Sequence, residues 1–464
     1  MKRSIVWFRN DLRLHDNEAL VDALAHNDEV IPLFVIDPRL FDGKTSYGLD
    51  RTGKYRKRFI LESLMDLRNN LRSKGSELYV RVGEPELIIP EIARLTKTSY
   101  VYCNRERTRD EVLVQDELEK NLWVIGQEMR YYRGKMLYYT ADLPFPVTHC
   151  PDTFTLFRKE VEKFVKVREP LPTPVSLPQL SVDIDPGDIP DVDSTGAEVN
   201  LEYLRGGETA ALRELNYYLW ETDHIADYKE TRNGLLGRDY SSKFSVHLSK
   251  GTLSPKLIYS EIKKYESEVK ANKSTYWLVF ELLWRDFFRF IGKKHGNKIF
   301  CQDGIKGKSE MTLYNNKTLF EKWTSAKTGV PFIDANMREL NATGFMSNRG
   351  RQNVASFLVK DMRINWVWGA EYFESLLIDY DPCSNYGNWN YIAGVGTDKR
   401  EDRYFNIPLQ AKKYDPQGNY MRHWLPELKD APLAFLMNPF SVPKSEYTHD
   451  NFYPNPCIEI KNWY

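Results

Sequence analysis

Four stretches in the second half of the chain combine cations, carboxyls, amides and large rings at spacings that can do chemistry. In Glu281-Leu-Leu-Trp-Arg-Asp-Phe-Phe288, residues Glu281, Trp284 and Arg285 fall at i, i+3 and i+4. One helix face then presents a carboxyl, a stacking platform and a cation, and the same face also suits a plain Glu281–Arg285 pair. In Gly344-Phe-Met-Ser-Asn-Arg-Gly-Arg-Gln-Asn-Val-Ala-Ser-Phe-Leu-Val-Lys360, residues Asn348, Arg351 and Gln352 share a face beside Arg349. Two arginines with amide side chains can hold phosphates and base edges. The stretch Asp239-Tyr-Ser-Ser-Lys-Phe-Ser-Val-His-Leu-Ser-Lys-Gly251 gathers Ser241, Ser242, Lys243 and Ser245 into a loop ahead of a helix that starts at Leu253-Ser-Pro255. Hydroxyls, backbone amides and a lysine suit a pyrophosphate, while serine-rich turns equally cap helices. Leu377 to Arg400 interleaves Asn, Gly, Asp and aromatics. As a loop it can set amides and carboxyls against a planar heterocycle, or simply close an Asx-turn network.

These side chains need elements to hold them. In residues 1–135, short apolar runs (Ser4-Ile-Val-Trp-Phe8, Val30 to Ile36, Glu77 to Val82, Tyr100 to Cys103, Met129 to Tyr132) alternate with helical patterns. In Arg56 to Ser73, for example, Phe59, Ile60, Leu64, Leu67 and Leu71 recur at helical spacing. This predicts a Rossmann-like α/β domain with a parallel sheet. Its first turn carries no Gly-x-Gly-x-x-Gly, and there is no Gly-Lys-Ser/Thr loop, which disfavours dinucleotide or triphosphate binding by those devices. Residues 136–200 read as a connector, extended and acidic from Pro170 to Asn200, where prolines and aspartates recur without Lys or Arg. Residues 201–464 read as an all-α domain, with Leu212, Leu215, Tyr218 and Leu219 on one face, and later Leu278, Leu282, Arg285 and Phe288.

Composition bounds the partners. Among 464 residues, 65 Lys+Arg balance 65 Asp+Glu, which argues against nonspecific coating of nucleic acid but is silent about a local basic groove. The 42% hydrophobic and 28% charged content is that of a soluble globular protein. No apolar run approaches the ~18 residues of a membrane span, and Arg9 interrupts the place where a signal peptide needs its apolar core, so a cytoplasmic location is expected. Five dispersed cysteines and unclustered histidines predict structural thiols and no metal site.

Together these segments resemble the photolyase and cryptochrome family, in its cryptochrome DASH branch. Ile5-Val-Trp-Phe-Arg-Asn-Asp-Leu-Arg-Leu-His-Asp-Asn17 resembles the family's opening strand and turn. Asn348 to Ser356 and Ser384-Asn-Tyr-Gly-Asn-Trp-Asn-Tyr-Ile-Ala-Gly-Val-Gly396 resemble its flavin-domain motifs. The resemblance implies FAD in the C-terminal helical domain. Its phosphates would be held by Tyr228 and by Ser241, Ser242, Lys243, Phe244 and Ser245, its ring and ribityl edges by Arg285, Arg351, Asp379 and Asp381, and Asn385 would face flavin N5.

The implied reaction is a photolyase reaction, a light-driven electron transfer from reduced flavin that splits cyclobutane pyrimidine dimers in damaged DNA. The alternative is a blue-light receptor with little repair. Glu281, Trp284, Gln352 and Tyr391 would line the lesion pocket, with Glu281 donating a hydrogen bond as charge develops on a thymine carbonyl. Relatives outside this branch carry Trp where Tyr391 stands, and the weaker platform is consistent with a preference for single-stranded DNA. Arg232, Lys243, Asn348 and Arg349 would meet flanking phosphates. Trp389 and Trp366 match the inner members of a tryptophan chain that photoreduces the flavin. Its outer member is expected near Leu313, where the sequence offers Tyr314, and Trp323 is the substitute. Glu106, in Arg105-Glu-Arg, matches a carboxylate that binds a 5,10-methenyltetrahydrofolate antenna, and by sequence it equally suits a surface ion pair. A monomer is expected. The chain ends at Tyr464 without the long polar tail of signalling cryptochromes, which favours repair.

Overall fold

The computed structural model describes residues 2–198, 201–309, 311–397, 404–441, 453–460 and 463. They form two compact units. One comprises Met1–Lys229, Ser242–Asn297 and Asp379–Cys383, the other Glu230–Ser241, Lys298–Ile378 and Ser384–Tyr464.

The first unit is built on five parallel strands, β1 (Arg3–Phe8), β2 (Glu29–Ile36), β3 (Tyr79–Val82), β4 (Tyr100–Asn104) and β5 (Glu128–Tyr132), in the order β3-β2-β1-β4-β5. Parallel neighbours require crossovers, supplied here by helices that include Glu18–His26, Lys54–Ser73, Pro85–Thr96 and Arg109–Val124. Side chains alternate across a strand, so Val6 and Phe8 of β1 pack with Leu64 and Leu67, and Ile5 and Trp7 pack on the other face with Leu118 and Leu122. Burial on both faces is why β1 and β2 read as nearly continuous apolar runs. The Pro-rich stretch lies along β3: the Val80 N–H donates to Pro186 O at 2.8 Å and Leu177 is buried in the adjoining core. It thereby covers an edge strand that would otherwise be open to pairing.

The polar turn after β1 serves as a joint. The buried Arg13 guanidinium donates to the carbonyls of His15, Asp16, Gly134 and Gly251. Gly251 has φ +66°, and a Cβ there would stand 2.3 Å from Asn10 O, so only glycine fits.

Three expectations are corrected here. Residues Phe244–Lys250 form a helix rather than a loop, because Phe244, Val246, His247 and Leu248 bury and Gly251 in the left-handed region ends the helix. Pro382–Ala393 is likewise a helix. Its asparagines satisfy the helix itself, with Asn388 and Asn390 donating to the carbonyls of Ser384 and Tyr386 at 2.8 Å. Leu212 is 38% exposed, and Ala211 takes the buried position beside Leu215 and Leu219.

In the second unit, the Trp366–Leu376 helix and the Pro382–Ala393 helix are brought close by a missing side chain. A Cβ on Gly369 would lie 2.3 Å from Trp389 Cη2, so the indole can rest against the helix backbone one turn beyond Trp366.

Candidate functional site

In the first unit the candidate residues hang on the Lys273–His295 helix, started by an Asn272–Thr275 capping box. Glu281 and Trp284 are half-buried on it. Trp284 lies flat against Phe154, centroids 3.8 Å apart and planes 8° from parallel, so one face of the platform is already backed. The Arg285 guanidinium does not open to a ligand on every side. It donates to Lys135 O at 2.7 Å and to Leu248 O at 3.2 Å, and burial, aided by Arg289, lowers its pKa to about 10. One turn on, Arg289 pairs with Asp381; the side chains are 6% and 8% exposed. Burial alone would lower the Arg289 pKa, but the charges of Asp381 and Glu106 outweigh it and hold the pKa above the usual value. Arg289 went unnoticed in the sequence, although it stands at i+4 from Arg285, the spacing that singled out its neighbours.

Between the two arginines Asp286 is fully buried and accepts the N–H groups of Leu137 and Tyr138 at 3.2 and 2.8 Å. Desolvation raises its pKa to about 6 against the opposing pull of Arg285 and the two N–H groups. In the unfolded chain an aspartate titrates near about 4, so the folded state binds the extra proton between these values, and stability falls as pH rises through that window. Asp286→Asn should flatten this part of the stability profile, measured by urea denaturation from pH 4 to pH 6.5; an unchanged slope would contradict the assignment.

The implied cofactor residues of this unit sit as follows. Ser245 Oγ donates to Asp379 Oδ2 at 2.7 Å. Tyr228 and Phe244 are buried with their rings edge-on to Tyr218 at 6.5 and 5.8 Å. Lys243 is buried with φ +54°, and Ser242 is half-buried. Glu106 is no surface pair. Buried with Lys135, its carboxylate also accepts from Asn10 Nδ2 at 3.0 Å; burial would raise its pKa, yet Lys135 and Arg9 prevail and hold it at about 2. Both donors lie on Oε1, which leaves Oε2 as the oxygen an antenna ring would meet.

The second unit holds the other candidates. Asn385 is nearly buried, and its Nδ2 donates to Ala370 O at 3.0 Å, which fixes the amide on the Trp366–Leu376 helix. On the Asn348–Ser356 helix, Asn348 is exposed, whereas Arg349 donates to Asn233 Oδ1 at 2.9 Å and lies 4.6 Å from the Tyr414 ring. Arg351 Nε donates to Met346 O at 2.9 Å. Arg232 and Ser241 are half-buried, and the buried Tyr391 hydroxyl accepts from Thr397 at 3.3 Å. Trp366 and Trp389 are buried in this unit. Trp323, the substitute for the outer member, is wholly buried, edge-on to Trp389 at 6.4 Å, with its N–H on Val354 O. Tyr314, the residue nearest the expected outer position, is 58% exposed. Residues 398–403, the end of the polar stretch that included Arg400, lie outside the described residues.

Gln352 Oε1 and Arg349 Nε, expected to meet a base edge and a phosphate, are buried polar atoms with no hydrogen-bond partner among the described residues. Such atoms are costly unless a bound polar group completes them. A flavin suits the residues on the cofactor side. A neutral amide at Asn385 tolerates either protonation state of a ring nitrogen, and the Arg351 guanidinium favours an anionic reduced ring.

Comparison with known proteins identifies relatives over nearly the whole chain. Residues 4–176 match the family described as DNA photolyase, and residues 277–464 match the FAD binding domain of DNA photolyase. A Synechocystis protein named Cryptochrome DASH is 47% identical, covering 98% of this chain and 95% of that protein. A chloroplastic/mitochondrial Cryptochrome DASH of Arabidopsis thaliana is 47% identical, covering 92% of this chain and 76% of that protein. Among solved structures, a Synechocystis cryptochrome superposes with a TM-score of 0.94 at 46% identity, covering 99% of this chain and 97% of that one. A class III photolyase of Agrobacterium tumefaciens superposes with a TM-score of 0.85 at 27% identity, covering 99% and 95%.

Proposed function

Because this chain belongs to the photolyase and cryptochrome family, in its cryptochrome DASH branch, and carries the family's FAD-binding domain, we propose that it is a light-driven lyase that splits cyclobutane pyrimidine dimers in DNA, single-stranded DNA by preference. When bound and reduced, FAD supplies the electron that light sends to the dimer. The chain's own residues do the rest.

The observation that carries this reading is the Glu281–Trp284 face. Phase along the Lys273–His295 helix puts the carboxyl and the indole side by side, and Phe154 stacked behind Trp284 makes the platform rigid. Two adjacent pyrimidines of one strand joined as a dimer leave the stack at the lowest unstacking cost, and a flat ring meets them; single strands have even less stacking to lose. Glu281 in its acid form donates a hydrogen bond to a carbonyl whose oxygen gains charge. Gln352, with its unfilled amide oxygen, accepts from a base edge, and Asn348, Arg349 and Arg232 face phosphates. On the cofactor side Tyr228, Ser241, Ser242, Lys243, Phe244 and Ser245 would hold the phosphates, Arg351 and Asp379 the ring and ribityl edges, and Asn385 would meet the reactive nitrogen. Arg285 and Asp381 act one step back, holding Lys135, Leu248 and Arg289 in place.

Glu281→Ala should lower the repair yield per absorbed photon roughly tenfold, the worth of one hydrogen bond to a charged group, while flavin content stays unchanged. Loss of flavin in that variant would instead place Glu281 in the cofactor site. The cryptochrome names of the relatives favour, as a second reading, a light receptor with weak repair. That reading predicts light-dependent flavin reduction without dimer loss.

A further inference from the structure

We infer that Tyr386 re-reduces Trp366 and passes its proton to Glu374, which makes these two residues a proton-coupled relay. The inference rests on the reading of Trp389 and Trp366 as the residues that carry electrons toward the flavin. The Trp366 ring is fully buried, and Tyr386 meets it edge-on with centroids 6.3 Å apart at 75°. Tyr386 is itself buried, with Phe300 packed against its ring at 4.6 Å, and its hydroxyl donates to Glu374 Oε2 at 3.3 Å. Glu374 is buried too, two turns beyond Trp366 on the same helix, so one helix carries the indole and the carboxylate and Tyr386 spans them.

Trp366, having given an electron inward, is left as a buried radical cation. Its N–H donates to Gln302 O at 2.9 Å, an amide oxygen that is a poor base, so the indole keeps its proton and its charge. Oxidation of a phenol without loss of its proton is unfavourable, and the carboxylate on the hydroxyl removes that obstacle. One electron moves from Tyr386 to the Trp366 radical cation and restores the neutral indole. The phenolic proton moves along the existing hydrogen bond to Glu374, leaving a neutral phenoxyl radical and a neutral carboxylic acid. A buried cation and a buried anion are thereby replaced by two neutral groups, which recovers desolvation free energy and sets the direction of the step. Return of the electron then requires return of the proton, which keeps the oxidising equivalent away from the flavin.

Tyr372 is the internal control. It packs against Trp323 at 5.6 Å, but its hydroxyl lies on neutral acceptors, Thr324 O at 3.0 Å and Asn341 Oδ1 at 2.7 Å, with no carboxylate to take the proton.

The test is flash excitation of the flavin-loaded protein followed by transient absorption and EPR. Wild type should show a Trp radical that decays into a Tyr radical, more slowly in D2O. Tyr386→Phe should lose the Tyr signal and prolong the Trp radical, Glu374→Gln should slow or abolish the handover, and Tyr372→Phe should behave as wild type. Ring-deuterated tyrosine incorporated into the unmutated chain should narrow the EPR line, which assigns the radical to tyrosine without any substitution. A Tyr signal that survives Tyr386→Phe overturns the inference, as does a wild-type Trp radical that forms and yields no Tyr radical; in the latter case the role of Trp389 and Trp366 stands. Absence of any Trp radical in wild type overturns both.

Discussion

Asp381→Ala is expected to cost the fold about 3–5 kcal/mol, because it leaves the Arg289 guanidinium charged and buried without its partner. The pair is almost wholly withdrawn from water, Arg289 Nε has no acceptor among the described residues, and the Arg285 cation lies one turn away on the same helix. Urea denaturation should show a large drop in the midpoint, accompanied by loss of bound flavin. The comparison is Asp50→Ala, which breaks a pair with Lys44 whose side chains are 56% and 61% exposed. That loss should fall within about 1 kcal/mol. Equal effects of the two substitutions would mean that the buried pair contributes no more than a surface one.

Trp389→Phe should abolish light-driven reduction of the flavin while leaving the fold and the bound flavin in place. Phenylalanine keeps an aromatic ring against Phe373, whose centroid is 5.2 Å from that of Trp389, and gives up only the far edge of the indole that rests on Gly369, a large-to-small loss that a fold of this size withstands. What is lost is an indole that can be oxidised. Bleaching of the blue absorption band under illumination with an external thiol should proceed in wild type and stop in the variant. Chemical reduction in the dark should restore dimer repair to the variant. Photoreduction at the wild-type rate would exclude Trp389 from the path and shift attention to Trp366.

The sheet was legible because parallel strands buried on both faces must be apolar throughout, as Ser4 to Phe8 and Val30 to Ile36 are, and the helix of Lys54–Ser73 because its core residues keep helical phase. The helices that carry the cofactor candidates were harder. Ser, Asn and Gly in Ser242 to Ser245 and in Ser384 to Asn390 have the propensity of caps and turns, and burial of Phe244, Val246, Asn385 and Trp389 overrides it. Contacts made across the sequence left no local trace at all. Lys135 meets Glu106 because β4 and β5 run side by side, and Arg289 meets Asp381 from 92 residues away. A tryptophan's depth is also nonlocal: Trp323 reads as a possible outer ring and lies instead at 0% exposure.

Dimer loss from oligonucleotides under light tests repair by this protein most directly. Purified, flavin-loaded and reduced protein is illuminated with blue light in the presence of single-stranded or duplex DNA carrying one cyclobutane dimer, with dark samples alongside. The expected result is light-dependent disappearance of dimers, faster in the single strand. Dimers that persist in both substrates under light, with the flavin verified as bound and reduced, would contradict the assignment of this chain as a repair enzyme.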